Sequence, residues 1–116
     1  MNAATLARLR RVANANMNES ATVSRPTRAS DGMGGYTETW ATAATLACRR
    51  LSTLSQAEQR IAERLAIVRP WIVSVPALSD VLETDRLVIG SDTLEVAHVP
   101  KSSWEAVRRV LCKELE

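Results

Sequence analysis

The amino-acid sequence predicts a mainly β fold: a small antiparallel β-barrel with a short N-terminal helix and a helical or loop excursion between strands. The first observation behind this prediction is a series of short segments in which apolar and polar residues alternate, as in half-buried strands. The second is the glycine, proline and aspartate residues that separate these segments and mark turns. The third is a change to helical spacing from Ser55, which interrupts the strands. Such a series of short strands is typical of a barrel or sandwich.

One domain with an N-terminal appendage is expected. The 116 residues are enough for one modest core, built from aliphatic side chains because the sequence has no Phe, three Trp and one Tyr. Residues 1–18 are assigned to an N-terminal helix and linker, in which apolar residues share one face and Arg8 and Arg11 lie on the other. Residues 19–116 are assigned to the barrel domain, with an inter-strand excursion at 54–68.

The most informative stretch is Asp31–Trp40, which holds three of the four glycines. Glycine reaches positive φ without a Cβ penalty, so Asp-Gly-x-Gly-Gly predicts a tight reversal. A long half-buried strand is predicted from Tyr36 to Leu51, with Trp40 on its apolar, core-facing parity. Before the turn, Thr22–Thr27 is predicted to be a first strand that either ends near Pro26 or lies at an edge, because proline donates no hydrogen bond to a ladder.

The segment from Ser55 to Pro70 is predicted to be a polar helix or an extended loop. Ser55 and Glu58 have the spacing of a capping box, and Ile61 and Leu65 recur at a helical interval. The helical pattern ends before the proline, which disfavours helical geometry in the residue that precedes it.

More strands are predicted in the second half of the chain. Trp71–Val75 and Arg86–Ile89 are apolar runs, and a glycine-first turn at 90–91 predicts a hairpin whose return strand reaches His98. The last segment, Trp104–Glu114, is ambiguous, because its apolar residues favour helical spacing but also tolerate alternation.

The composition argues against several classes of protein. A formal net charge of +2 is too small for bulk binding to nucleic acid. No apolar run approaches the roughly 20 residues that span a bilayer, and arginines interrupt the N-terminus where a signal peptide needs an apolar core. A soluble, intracellular chain is therefore expected. Cys48 and Cys112 lack CxxC spacing and are expected to be buried thiols in a reducing compartment.

The sequence shows no catalytic, cofactor-binding or metal-binding constellation. His98 is the single histidine, and no Cys or carboxylate lies at ligand spacing from it. Met33-Gly34-Gly35 is not a phosphate loop, because no Gly-Lys-Ser/Thr follows. Neither an enzyme nor a bound cofactor is expected. Four acidic residues lie in predicted turns, where aspartate caps the backbone: Asp80, Glu83, Asp85 and Asp92.

Short motifs follow one another in a specific order along the chain. They are Arg25-Pro26-Thr27, Asp31–Trp40, Cys48-Arg49 before a polar Ser-Gln-Ala-Glu segment, Asp85-Arg86 to Gly90, Thr93–Val96, and Ser103-Trp104-Glu105 before Arg108–Glu114. Each motif is short, but the ordered set, from about Thr22 to Glu114, resembles the head-closure (stopper) proteins of long-tailed bacteriophages, the head–tail joining family.

This resemblance implies a structural protein of the phage neck that catalyses no reaction. Members of that family form a homo-oligomeric ring, expected to be a dodecamer, between the portal and adaptor proteins and the tail. The ring closes the filled head, retains the packaged DNA and offers the tail its attachment surface. The implied partners are further copies of the chain, adaptor or portal proteins, tail proteins and double-stranded DNA that passes through without sequence-specific contacts. The implied location is the virion, after assembly in the host bacterial cytoplasm, with no membrane contact.

The resemblance also implies roles for particular segments. The family's last segment is usually an extended strand, so Trp104–Glu114 is assigned to a strand. The segment Leu54–Ala66 is assigned to the central channel, through the hydrated side chains of Gln56, Glu58, Gln59, Arg60, Glu63 and Arg64. The alternative is a surface helix that only caps the barrel. Contacts with a neighbouring subunit, the adaptor or the tail are assigned to Arg8, Arg11, Asp31, Met33, Tyr36, Arg49 and Arg50.

Two other functions remain open at this point. The first is an adaptor or tail-completion protein of the same junction, which a helix-rich fold would favour. The second is a small nucleic-acid-binding barrel, for which aromatic residues on exposed strand faces are typical. Its basic residues would be Arg25, Arg28, Arg49 and Arg50.

Overall fold

Six antiparallel strands close into a barrel, which confirms the predicted fold class. The computed structural model describes residues 2–102 and 105–115. In chain order the elements are α1 (Ala3–Ala15), β1 (Glu19–Ser30), β2 (Tyr36–Leu51), α2 (Gln56–Arg64), β3 (Pro70–Pro76), β4 (Arg86–Ile89), β5 (Asp92–His98) and β6 (Val107–Glu114). Around the barrel the order is β1-β2-β3-β6-β5-β4, so β3 pairs with the last strand and β1 closes on β4.

The two helices begin with the caps that their sequences offer. The Asn2 side chain accepts a hydrogen bond from the Thr5 backbone N–H (2.8 Å) at the start of α1. At the start of α2, Ser55 and Glu58 form the predicted capping box: the Ser55 Oγ accepts from the Glu58 N–H (3.2 Å), and the Glu58 Oε1 accepts from the Ser55 N–H (2.8 Å). The segment after Ser55 is therefore a helix rather than an extended loop.

The last segment is a strand over Val107–Glu114, as the family resemblance implied and against its helical spacing. Val110 lies in the barrel core, whereas Leu111 faces α2 on the outside, so both faces of β6 are apolar. A strand that is buried on both faces loses the simple alternation by which strands are recognised. Ser103 and Trp104, at the start of this segment, lie outside the described residues.

The core consists of two clusters on opposite faces of β3. Inside the barrel, the fully buried side chains are mostly aliphatic, as expected for a chain without Phe: they include Val23, Val73, Val75, Leu87, Leu94 and Val110. Outside the barrel, Ile72 and Leu111 are covered by Ala62 of α2. At roughly 25 cal/mol per Å² of buried apolar surface, both clusters stabilise the fold, and the outer one fixes α2 against the barrel.

α1 packs against its own barrel through one face only. Leu6 is buried, and the Arg10 Nε donates a hydrogen bond to the Glu105 backbone carbonyl (2.9 Å). The face away from the barrel exposes Leu9 and Val12. The helix thus adds to the domain's outer layer and leaves a mixed apolar and basic surface towards solvent.

An ion pair with a fully buried carboxylate joins β1 to the connection between β3 and β4. The Asp85 side chain is fully buried and accepts two hydrogen bonds from the Arg25 guanidinium, from Nε to Oδ1 and from Nη2 to Oδ2, both 2.9 Å. It also accepts one from the Leu82 backbone N–H (2.9 Å). The Asp80 carboxylate lies 3.3 Å from the same guanidinium but is 75% exposed. The hydrogen bonds that Arg25 donates, those to Asp85 first, raise the pKa of Arg25 against the opposing effect of burial, so the guanidinium stays charged.

Replacing Asp85 with alanine is expected to lower the free energy of unfolding by about 3 kcal/mol, because it leaves Arg25 and the Leu82 N–H without their buried acceptor. Chemical unfolding followed by circular dichroism measures this change. The matched control is Asp80→Ala, which removes an exposed carboxylate from the same arginine and should cost less than about 1 kcal/mol. Equal losses in the two variants would show that burial of the Asp85 pair is not what stabilises this contact.

Candidate functional site: the ribbon beyond the barrel

β1 and β2 are longer than the strands beside them and continue past the barrel as a two-stranded ribbon. β4 pairs with β1 only at Thr22–Ser24, and β3 pairs with β2 only at Arg49–Leu51. Residues 25–30 and 36–41 pair with each other and with no other described strand. The molecule is accordingly elongated, with extents of 55 × 28 × 27 Å.

The tip of the ribbon is held by Asp31. Its Oδ1 accepts hydrogen bonds from the backbone N–H groups of Met33 (2.7 Å) and Gly35 (3.1 Å), and its own N–H donates to the Gly35 carbonyl (3.2 Å). Gly32 and Gly34 have φ of 79° and 84°, the left-handed geometry that the sequence predicted for this reversal. The turn presents Met33 and Tyr36 to solvent, 91% and 74% exposed. Three of the residues that were predicted to contact other chains, Asp31, Met33 and Tyr36, therefore lie together at the tip of the ribbon.

Trp40 lies on the ribbon rather than in the core, so the prediction from its parity was wrong. Its ring is half-buried beneath the Arg86 guanidinium, with 4.1 Å between the guanidinium carbon and the ring centroid. The register passes from Val23↔Ala44 to Ser24↔Thr42 and leaves Ala43 as an extra residue, so Trp40 lies on the opposite face of β2 from core residues such as Cys48. Arg86 covers the ring where the ribbon leaves the barrel.

The remaining predicted contact residues lie apart from the tip. Arg50 forms ion pairs with Glu19 (3.0 Å) and Asp92 (2.7 Å), and its guanidinium lies above the Trp71 ring. This side chain thus connects its own strand, β2, to β1, β5 and β3 of the same barrel. Arg49 is exposed beside the end of α1. The other two lie on the exposed surface of α1: Arg8 and Arg11.

The predicted channel segment is the helix α2 with its flanks. Glu58 is not free, because its carboxylate accepts two hydrogen bonds from Arg109 of β6, both 3.0 Å, and its side chain is only 15% exposed. Gln59 donates a hydrogen bond to the Leu54 carbonyl (3.4 Å). The other predicted side chains are exposed: Gln56, Arg60, Glu63 and Arg64. One side of α2 is thus fixed to the barrel, and the opposite side is hydrated and carries both signs of charge.

The four arginines of the nucleic-acid alternative do not form a free basic patch. Arg25 pairs with Asp85, Arg28 lies 3.3 Å from Glu38, and Arg50 bridges two carboxylates. The Trp71 ring packs against the core and its Nε1–H points to Glu114 (3.4 Å), so it is not a stacking platform. These contacts count against binding through phosphate neutralisation, which needs unpaired cations on one surface.

Potential catalytic groups are few in the part of the chain that the structure describes. Residues 2–102 and 105–115 contain no group of three or more His, Cys, Asp or Glu that could hold a metal ion. Cys48 and Cys112 are free, buried thiols. Burial raises the pKa of Cys48 to about 11 and raises that of Cys112 as well, so both stay protonated and unreactive near neutral pH. Among the described helices, none has the length and apolar character needed to cross a membrane.

The fold and its surfaces define a class of protein: a small barrel whose exposed features are a ribbon and two helices suited to contacts with other chains. The sequence profile described as "Phage head completion protein" matches residues 13–115, and the chain belongs to this family. It is a family of structural phage virion proteins rather than of known enzymes. The family resemblance seen in the sequence is thereby confirmed.

A solved structure shows the same fold. The solution structure of protein SF1141 from Shigella flexneri 2a matches with a TM-score of 0.64, covering 84% of this chain and 92% of that chain at 15% sequence identity. At this identity the likeness concerns the fold alone. No curated protein sequence gives a match to the chain.

The Glu58–Arg109 contact predicts a pH dependence of stability. The hydrogen bonds from Arg109, together with those from Ser55 and against the opposing effect of burial, lower the pKa of the Glu58 carboxyl from its ordinary value of 4.5. A carboxyl with a lowered pKa in the folded state stabilises the fold above its unfolded pKa, and this contribution disappears as the pH falls through the folded pKa. We therefore expect Glu58→Gln to lose about 1 kcal/mol at pH 7 and to approach the wild type well below pH 4.5.

Urea unfolding at a series of pH values measures this difference. Glu63→Gln is the control, because Glu63 is an exposed carboxylate on the same helix. A difference between Glu58→Gln and the wild type that stays constant down to the lowest pH would mean that the charge of Glu58 contributes nothing.

Proposed function

We propose that this protein closes the filled phage head: copies of the chain form a ring in the neck, between the portal or adaptor and the tail. The ring retains the packaged DNA and gives the tail its attachment surface. The observation that carries the proposal is the match of residues 13–115 to the head completion family. The mainly β fold supports head closure over an adaptor, because adaptors are expected to be helix-rich.

The distribution of exposed groups supports a role in assembly. Polar contacts within the chain, such as Arg25–Asp85 and Glu58–Arg109, keep the barrel and α2 in one arrangement. The ribbon tip and the outer face of α1 meanwhile expose large apolar side chains, among them Met33 and Val12 (91% and 59% exposed). Exposed apolar groups on a rigid scaffold are suited to contacts with neighbouring chains.

We further propose that the exposed side of α2 faces the channel. Its side chains are hydrated and carry both signs of charge. A purely basic surface would hold DNA through counterion release and hinder its passage, whereas a surface of mixed charge holds DNA less strongly. In this arrangement Arg109 and the outer core cluster hold the helix on the barrel while the opposite side meets the DNA.

Removal of the gene from the phage tests the overall role. We expect heads that package DNA but release it and do not join tails, with both defects corrected by the wild-type chain supplied from a plasmid. Nuclease protection of the DNA and electron microscopy of the particles measure the two defects. Stable, tailed and infectious particles without the chain would overturn the proposal.

The channel role predicts the effect of a combined alanine variant of four α2 residues: Gln56, Arg60, Glu63 and Arg64. Alanine preserves helix propensity, and Glu58 and Ala62 keep the helix on the barrel, so the fold should survive. We expect several-fold more nuclease-accessible DNA in complemented particles than with the wild type. The control is the double variant Glu95→Ala/Lys113→Ala, which removes an exposed pair on the barrel wall.

If the α2 variant retains DNA as well as the wild type, α2 only caps the barrel. Deletion of residues 56–64 then gives a second test, provided that the shortened chain still assembles into particles.

A further inference from the structure

The ribbon leaves an unusually open strand edge on β2. From Tyr36 to Cys48 this strand has β1 on one side and no described strand on the other, because β3 begins to pair only at Arg49. Over these residues the sequence contains no Pro, Lys or Arg, and Glu38 is the single charged residue. Natural proteins protect a free edge with such residues and with β-bulges, and the bulge of β2 lies at Ala43, beyond the ribbon. The edge from Tyr36 to Thr42 is therefore unprotected and suited to pairing with another strand.

The opposite edge of the ribbon, on β1, has a different character. Beyond Ser24, where pairing with β4 ends, the edge carries Arg25, Pro26 and Arg28 and no acidic residue up to Ser30. The Arg28 side chain is 72% exposed and its partner Glu38 is 39% exposed, so both can meet a further charge. The ribbon therefore has one basic edge and one acidic edge.

The hydrogen bond at the tip fixes which backbone groups point outward. Asp31 donates to the Gly35 carbonyl, and in an antiparallel pair hydrogen-bonded and non-hydrogen-bonded rungs alternate from there. The rungs Arg28↔Glu38 and Pro26↔Trp40 are then non-hydrogen-bonded, and their N–H and C=O groups face away from the partner strand. Proline has no N–H, so its place on an outward rung agrees with this assignment and leaves Arg28 and Ser30 as the outward N–H donors of the β1 edge.

Charge decides which edges can meet. Two β2 edges would bring Glu38 of one copy near Glu38 of the other, and two β1 edges would bring arginines together. A β2 edge against a β1 edge instead places Glu38 of one copy beside Arg28 of the next. Because Arg28 and Glu38 already pair within each ribbon, such stacking produces a row of alternating charges across successive copies.

We propose that copies of this chain associate head to tail through their ribbons, with the β2 edge of one copy pairing antiparallel with the β1 edge of the next. The contact is heterologous, because it joins two different surfaces of the chain. Each added copy is rotated relative to the previous one, and the copies form a ring when these rotations add up to a full turn. This inference rests on the proposed function for the expectation that the chain forms a ring, and it names the surface that forms the contact.

Two proline variants test the proposal. Arg28→Pro and Glu38→Pro each remove one outward N–H, each break the same ion pair, and each leave the hydrogen-bonded rungs of the ribbon intact. We expect the wild type to self-associate with rising concentration in sedimentation velocity, and each variant alone to associate at least about tenfold more weakly. Circular dichroism and thermal unfolding confirm that both variants are folded.

A mixture of the two variants distinguishes the possible contacts. Glu38→Pro keeps an intact β1 edge and Arg28→Pro keeps an intact β2 edge, so an equimolar mixture should form a one-to-one complex that does not grow further. Assembly by Arg28→Pro alone would instead indicate pairing of two β2 edges and overturn the proposal. Assembly by Glu38→Pro alone would indicate two β1 edges and overturn it equally.

Two further outcomes also count against the proposal. A wild type that stays monomeric up to millimolar concentration has no such edge contact, and variants that both assemble like the wild type place the contact elsewhere. Neither result would touch the proposed function, which is tested separately by DNA retention in particles.

Discussion

The buried pair between Arg25 and Asp85 determines where the barrel ends and the ribbon begins. Arg25 is the first β1 residue beyond the pairing with β4, and Asp85 immediately precedes β4. Two hydrogen bonds of 2.9 Å connect them, while Asp85 also caps the Leu82 N–H. A fully buried carboxylate is costly unless it is paired, so the chain between β3 and β4 must lie where this guanidinium can reach it. The pair therefore fixes the position along β1 at which the strand leaves the barrel and the ribbon begins.

The difference in strand length supplies the rest of the functional surface. β1 has 12 residues and β2 has 16, but β4 has only four, so much of the long hairpin has no third strand to pair with. Within the barrel, both faces of β3 are covered, by the core inside and by α2 outside. The free backbone edges lie on the ribbon as a result. Large exposed apolar side chains are found there and on α1, and also in the segments that follow α2 and β3. In the proposed neck ring, these are the surfaces that we expect to meet other chains.

Local patterns predicted the elements whose causes are local. The Ser55–Glu58 capping box, the hairpin at Gly90 with its φ of 61° and the glycine turn after Asp31 all formed where their residues indicated. Patterns failed where burial depends on distant neighbours. Trp40 has the parity of a core residue by simple counting, but the bulge at Ala43 puts it on the opposite face of β2, and it lies beyond the strands that could bury it. Asp85 was interpreted as a turn residue that caps the backbone, which it does, but nothing in the sequence joined it to an arginine 60 residues earlier.

By itself, the sequence determined the fold class, the turns, the helix caps and the family, because these depend on residues that are close together or in a fixed order. Periodicity could not show that β6 is a strand, since apolar residues on both of its faces imitate helical spacing; the family resemblance implied the strand, and the tertiary structure shows the reason for the misleading pattern. The tertiary structure likewise decided which arginines form ion pairs with carboxylates of the same chain, as Arg25 does with Asp85. Above all, the length of ribbon outside the barrel was set by where β3 and β4 stop pairing, and strand pairing is a long-range contact that no local pattern encodes.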